Sequence, residues 1–504
     1  MKNITRIFAF LLALVMISCV LASCGEPKND PDAPSTTAKP SETQGPVETS
    51  NNQNSSEEIR VYPDLPDVRY DGYTYRVRVK GDATHWSTLG IYAETKTGEP
   101  INDATLERNN SIKEKYGIDI VTVEGSGMSG DTVNMVLSQV DEWDAAVITV
   151  DSIPTVAPKS VYDLKQLKYI DLSKPWYDQK FNKEVSIGGR LYATTGDYVI
   201  NDDNGTWVTL FNKTLAEDYA DIPNLYKLSL DGGWTLDKQY EYAKVVADDI
   251  TGDHAMDEND RWGLLTEDYN LYASIAAAGE KIASKDGDDM PYLTASSERF
   301  QDVLSKAVQV HGDKSVALLY SDYSGRLSGY DFYYAVFNES RALMQVCGLY
   351  DLGIKRVMDD DVGVLPMPKY DEAQESYLDP ITVYNATCVV IPITVSDAER
   401  TAVITEALFA ESRYTTRIAF YETTLKKKYS PDEETKLVLD QVIENRTYDL
   451  GAIYSWGGVV SRLSTMMQSR ASNFSSAWRS LERVAQKAME TTVKDFQKAW
   501  NVGE

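Results

Sequence analysis

The chain has 504 residues, of which 42% are apolar and 25% charged, enough for a large core divided between two lobes or several domains. Acidic side chains outnumber basic ones 77 to 50, and the resulting formal charge of −27 repels polyanions and argues against nucleic acid as a partner. The three histidines (His85, His254, His311) lie far apart, and there is no H-E-x-x-H, no G-x-x-x-x-G-K-[ST], no G-x-S-x-G and no G-x-G-x-x-G after a strand; this excludes common zinc peptidases and P-loop NTPases more firmly than it excludes hydrolases.

Residues 1–23 read as a secretory signal, with a cationic start (Lys2, Arg6), an apolar run from Ile7 to Ile17 and small residues before a cut. The run is too short for a comfortable membrane span. Leu21-Ala22-Ser23-Cys24 followed by Gly25 resembles the lipobox of bacterial lipoproteins, which implies cleavage before Cys24, lipid on its thiol and anchoring at the outer face of the cytoplasmic membrane. Residues 24–58 contain five prolines and no aromatic residue, so they bury too little to order themselves. They read as a flexible tether with a span on the order of 30 Å. With Cys19 in the signal and Cys24 lipidated, Cys347 and Cys388 remain, both in apolar stretches. They read as buried free thiols, although an exported protein also permits a disulfide between them.

Order begins near Ile59. Alternation at Tyr73, Tyr75, Val77 and Val79 predicts a strand, residues 102–116 a helix stopped by Gly117, and residues 118–123 a second strand. The continuous apolar run 145–150 predicts a parallel strand covered on both faces, completing a doubly wound α/β pattern. Further on, Gly188-Gly189 predicts a tight turn and residues 208–211 a strand. Residues 235–248 and 296–310 predict helices, the latter with Phe300, Val303, Leu304, Ala307 and Val308 on one face. Strands are expected at 343–346, 362–365 and 387–391, and helices at 398–411 and 477–496. A strand this late, between helical regions, suggests that the chain returns to its first lobe.

Several segments carry a resemblance. They are Thr97-Gly-Glu-Pro-Ile-Asn-Asp-Ala104 with Glu107-Arg108-Asn109, Lys174-Pro-Trp-Tyr-Asp178, Gly189-Arg-Leu-Tyr-Ala-Thr-Thr-Gly-Asp197, and Phe211-Asn-Lys213. Gly363-Val-Leu-Pro-Met-Pro-Lys-Tyr370, Tyr448-Asp-Leu-Gly451 and Tyr454-Ser-Trp-Gly457 complete the set. In this order and spacing the body resembles the extracellular solute-binding proteins of ABC importers, in the sugar-binding group related to maltose-binding protein. The resemblance implies a periplasmic-binding-protein-like α/β fold of two lobes joined by hinge strands, with a helix-rich C-terminal third. On this reading, residues 59–197 plus 385–413 form lobe 1, and 198–384 plus 414–504 form lobe 2. The crossings are expected at Leu191–Asp197, near Asp379–Ala386 and near Arg413. It also implies a monomeric receptor, not an enzyme, that delivers a small carbohydrate ligand to importer membrane subunits.

A sugar offers C–H faces to aromatic rings and hydroxyls to carboxylates and amides, and the chain holds 32 Tyr and 9 Trp. The candidate ligand residues are Trp86, Trp176, Tyr177, Tyr350 and Trp456 among the aromatics, and Asp151 and Asp197 among the acids, with Glu94 and Asn385 behind them. Each aromatic serves core packing equally well, and each acid serves equally as a cap or a surface charge. The stretch Asp249-Ile-Thr-Gly-Asp-His-Ala-Met-Asp-Glu-Asn-Asp260 has the cadence of a calcium loop, with Asp249, Thr251, Asp253, Ala255 (through its carbonyl), Asp257 and Asp260 as ligands. His254 where glycine is usual and Asp260 where glutamate is usual depart from that pattern, leaving a structural calcium or a solvated acidic loop. Two other functions compete with the receptor: a secreted glycoside hydrolase using a carboxylate pair, and a surface adhesin or sensory module.

Overall fold

The computed structural model describes residues 60–81, 86–327, 329–355, 358–429 and 432–502. The signal segment, Cys24, the tether and His85 lie outside the described residues. The body that begins at Val61 holds two principal sheets.

The first sheet starts with β1 (Thr74–Lys80), followed by α1 (Pro100–Tyr116), β2 (Asp119–Gly125), α2 (Met128–Leu137) and β3 (Ala145–Thr149). β1 pairs in parallel with β2 and with β3, in register Thr74↔Asp119 and Val77↔Ala145. Helix α1 starts earlier than its sequence suggested, because proline is tolerated at a first helical position. Asp103, inside its first turn, accepts from the Thr97 and Gly98 amides. β3 is buried on both faces, as its unbroken apolar run required. Ala145 and Val147 join a cluster with Ile112, Tyr116, Val403 and Leu408, whereas Ala146 and Ile148 join one with Phe181, Met489 and Phe496.

The second sheet is built by β4 (Trp207–Asn212), α3 (Leu236–Val246), β5 (Trp262–Thr266), α4 (Asn270–Ala277), α5 (Glu298–Gly312), β6 (Ala317–Leu319), α6 (Asp331–Asn338), β7 (Ala342–Gly348) and β8 (Val362–Leu365). Its order is β8-β4-β7-β5-β6, with β4 antiparallel to both neighbours and the pairs β5–β6 and β5–β7 parallel. Thr235 caps α3 and Ser297 caps α5, each accepting from a backbone amide three residues on. His311 is a core residue, bonded to Thr266 and Ser274 at 2.9 Å each, and burial pushes its imidazole down to about 4.

The chain then returns. β9 (Thr387–Val390) lies antiparallel beside β3, in register Cys388↔Ile148, and α7 (Ala398–Arg413) covers the first sheet. α8 (Glu433–Glu444) packs in the second sheet's core. α9 (Val459–Ser469) precedes α10 (Phe474–Val502), which at 29 residues is about 43 Å long. Phe474 and Trp478 of α10 pack with α4, α5 and α9, but Ala485, Met489 and Phe496 pack with Ala146 and Ile148 of the first sheet. The last helix therefore serves both cores, where the sequence reading gave all of 414–504 to the second lobe. Cys347 in β7 and Cys388 in β9 are free and buried, each in a different sheet.

Candidate functional site

The segments between the sheets fix the site. The chain leaves the first sheet at Thr194, which bridges to Val389, and enters the second at Trp207; this crossing runs later than the expected Leu191–Asp197. A second crossing runs Asp379–Ala386, with the Thr382 amide on the Gly205 carbonyl at 2.7 Å and Asp379–Pro380 paired with Arg446–Thr447. A third descends from the end of α7 through Thr416. The crossings converge where the carboxyl ends of β3 and β5 lie beside the amino ends of β4 and β9, the edge at which open α/β sheets take ligands.

Asp151 stands just past β3. Its amide donates to the Val383 carbonyl at 3.0 Å, and its Oδ1 is buried with no hydrogen-bond partner. Burial pushes its carboxyl up; burial, and then the Asp151 charge, also raise the phenol of Tyr384, which is 47% exposed. Tyr384 meets the Tyr269 ring edge-on at 5.5 Å, and Tyr269 stacks on Trp207 at 5.5 Å with 21° between planes. Trp207 is only 6% exposed, and its indole N–H has no partner.

Further along the same edge, Glu267 and Asp268 follow β5, and Tyr350 and Asp351 follow β7. Tyr320 and Tyr330 stack at 4.3 Å, nearly parallel, with Phe332 stacked behind at 5.7 Å. The Tyr330 hydroxyl donates to Glu267 at 3.1 Å. Burial, reinforced by Asp351 and Asp268, pushes Glu267 up to about 7. Burial raises Asp351 to about 6 despite Lys355 nearby.

Of the residues singled out in the sequence, Asp151 and Tyr350 are at this edge, and Trp86 follows β1 with its side chain exposed. Trp176, Tyr177 and Trp456 are buried and hydrogen-bonded within the protein. Trp176 is fully buried with Nε1 on Glu406 at 3.2 Å, and Tyr177 bonds the same carboxylate and packs on Phe409 at 4.6 Å. Trp456 is buried beneath α10, with Nε1 on Thr492 at 3.0 Å and its ring stacked on Tyr454.

Asp197 is turned into a cluster of charges around a cavity of about 180 Å³, where it pairs with Arg413 at 3.2 Å and Arg417 at 3.4 Å. Burial outweighs both guanidiniums and pushes its carboxyl up to about 7. Beside it Arg446 binds Asp178 at 2.8 Å and also Asp202 and Asp203. These ion pairs brace the crossings, although Arg446 Nε is buried without a partner. Glu94 is exposed, and Asn385 offers its backbone carbonyl to Asn201.

The carboxylates of the acidic loop accept from the loop's own backbone amides. Asp249 accepts from the Gly252 and His254 amides at 2.7 Å each, and Asp260 accepts from Thr251 and Asp257 amides at 3.2 and 2.8 Å. Asp253 and Asp257 accept from the Ala255 and Asn259 amides. Among the described residues no group of three or more His, Cys, Asp or Glu is placed to hold a metal.

No family model matches the sequence, and no curated protein is similar to it in sequence. Solved structures share its fold. The sugar-binding protein MalE of Xanthomonas citri aligns over 86% of this chain and 99% of its own, with a TM-score of 0.54 and 11% identity. A sugar transporter of Rhizobium etli in an open conformation aligns over 84% and 99%, with a TM-score of 0.54 and 12% identity. An ABC substrate-binding protein of Listeria monocytogenes in complex with cycloalternan aligns over 86% and 99%, with a TM-score of 0.51 and 13% identity. This chain has the two-lobed α/β fold of these proteins.

Proposed function

We propose that the chain is an extracytoplasmic receptor that captures a carbohydrate between its lobes and presents it to an ABC importer, held at the membrane by lipid on Cys24. The observation that carries this reading is the juxtaposition, at the crossings, of the exposed Tyr384 ring with buried polar atoms that lack partners (Asp151 Oδ1, Trp207 Nε1), with the partly exposed Tyr330 further along the same edge. A buried acceptor or donor left unsatisfied costs about 1–3 kcal/mol, which a ligand hydroxyl would recover. Sugar rings supply such hydroxyls together with C–H faces for the aromatic rings. The sugar ligands and transporter roles named for the fold's neighbours support the same class.

Asp151 and Tyr384 belong to the first sheet and its crossing, while Tyr269 and Tyr330 belong to the second lobe. A ligand touching both sets binds better when the lobes close, and so shifts the population toward the closed form. The importer would then read the closed shape, and no bond in the ligand changes. Thermal shift and solution scattering against an oligosaccharide panel test this. The expected result is a rise in Tm and a smaller radius of gyration with one sugar class, lost in Asp151→Asn and Tyr384→Ala. Release of shorter glycans during incubation would sink the receptor reading in favour of a hydrolase. A Cys24→Ser variant should leave the membrane fraction, and retention there would refute the lipid anchor.

A further inference from the structure

The charge balance along the strand-end edge says more about the ligand than its being a sugar. Four carboxyl groups stand there, and their hydrogen-bond partners are neutral. Glu267 takes the Tyr330 hydroxyl at 3.1 Å; Asp268 takes the Ser321 hydroxyl at 2.6 Å and the Gln468 amide. Asp351 takes the Gln345 amide at 3.2 Å and the Tyr334 hydroxyl at 3.4 Å, and Asp151 keeps one oxygen bare. Two lysines lie near them. Lys80 lowers the Asp151 carboxyl, but burial outweighs it. Lys355 places its ammonium over the rings of Tyr334 and Phe337, at 4.7 and 4.8 Å, and bonds Asn338. Among the described residues the edge is therefore short of positive charge. The aromatic stack meets the acids directly, since Tyr330 is 40% exposed and its hydroxyl is already on Glu267. A ring face bordered by carboxylates attracts an ammonium through both the quadrupole and the charge. Trp207 adds an independent sign that a ligand belongs here, because its buried N–H at the floor of the same edge has no acceptor.

We propose that the cleft selects sugars bearing a free amino group over neutral sugars, and rejects uronic acids. This rests on the carbohydrate reading above. The amino sugar lays its ring on Tyr330 and Tyr384 and sets its ammonium between Glu267 and Asp268, replacing the missing countercharge. An acidic sugar would bring a fifth carboxylate against the same four.

Calorimetry with four tetramers tests this: β-1,4-linked glucosamine, cellotetraose (the same linkage with hydroxyl in place of the amine), maltotetraose and β-1,4-linked glucuronate. The expected result is at least tenfold tighter binding of the glucosamine tetramer than of either neutral tetramer, with no binding of the glucuronate. The preference should shrink severalfold in Glu267→Gln and in Asp268→Asn, with melting curves showing both variants folded, and should shrink again in high salt. Equal or tighter binding of a neutral tetramer, or any binding of the glucuronate, overturns the charge selection and leaves the carbohydrate reading standing. Failure of all four tetramers overturns both.

Discussion

Gly196 lies on the first crossing with φ +147°, and a Cβ built there would sit 2.1 Å from the Trp176 carbonyl oxygen. That oxygen accepts the Asp197 amide at 2.9 Å, so it cannot retreat without loosening the bond that holds the crossing to the Trp176 segment. Gly196→Ala therefore combines an unfavourable backbone region, on the order of 1–3 kcal/mol, with a carbonyl displacement of about 1 Å and a weakened hydrogen bond, on the order of 1 kcal/mol. The total is roughly 2–4 kcal/mol. A body of roughly 440 residues unfolding as one unit gains about 0.9 kcal/mol/K of entropy, so Tm should fall by about 2–4 °C, and about twice that if the lobes melt separately. Gly189 supplies the control. It has φ +77° with no atom within 4 Å of its missing Cβ, so Gly189→Ala costs only the left-handed conformation, about 1–2 kcal/mol. Scanning calorimetry on the two variants separates the contributions. A Gly196→Ala protein that melts with or above Gly189→Ala would refute the argument, because the clash would then cost nothing.

Burial raises Glu406 to about 7, above its unfolded value, against the bonds from Tyr177 and Trp176. Its contribution to stability is thus complete below about pH 4.5 and is lost as pH rises through 7. Glu406→Gln should stabilise the protein at pH 8 by about 2–3 kcal/mol and do nothing near pH 4.5; urea titrations that give the same difference at both pH values would contradict this. Calcium and chelator should leave Tm unchanged, since the acidic loop's carboxylates are bonded to its own amides; a calcium-dependent rise of several degrees would overturn that reading. Trp456→Ala should lower stability by about 3–5 kcal/mol, as for other buried aromatic truncations. A variant that melts like the parent but binds ligand weakly would return Trp456 to the site.

Most of the α/β framework was legible in the sequence because buried strands and amphipathic helices leave a periodic trace. The run 145–150 and the stripe Phe300–Val308 are examples, and both lie where their patterns put them. The binding edge was less legible. β5 is a five-residue strand, Trp262-Gly-Leu-Leu-Thr266, whose glycine is needed because α3 passes so close that a Cβ would meet the Ala243 carbonyl at 2.0 Å. A short strand broken by glycine gives no alternation, so it was not anticipated, and Glu267, Asp268 and Tyr269 at its end went with it. β6 and α6 were missed for the same reason of length, and with them Tyr320 and Tyr330.

The segments that carry the resemblance hold the fold together, for a physical reason. Lys174–Asp178 provides Trp176 and Tyr177 to Glu406, and Asp178 to Arg446 and to the Tyr448 hydroxyl at 2.6 Å. Arg108 is fully buried, bonding the Ile91 carbonyl at 2.8 Å and the Ser412 hydroxyl at 3.1 Å, which ties α1 to α7. Asp449 caps its own helical turn and accepts the Ile282 amide at 2.7 Å. Each is a polar group taken out of water and satisfied by partners far away in sequence, an arrangement that tolerates little change because one lost partner strands a buried charge or donor. Ligand residues are under no such constraint, since their partners arrive with the ligand. In a two-lobed receptor the segments recognisable in sequence are thus the struts that align the lobes, while the residues that choose the ligand sit on the short loops between them.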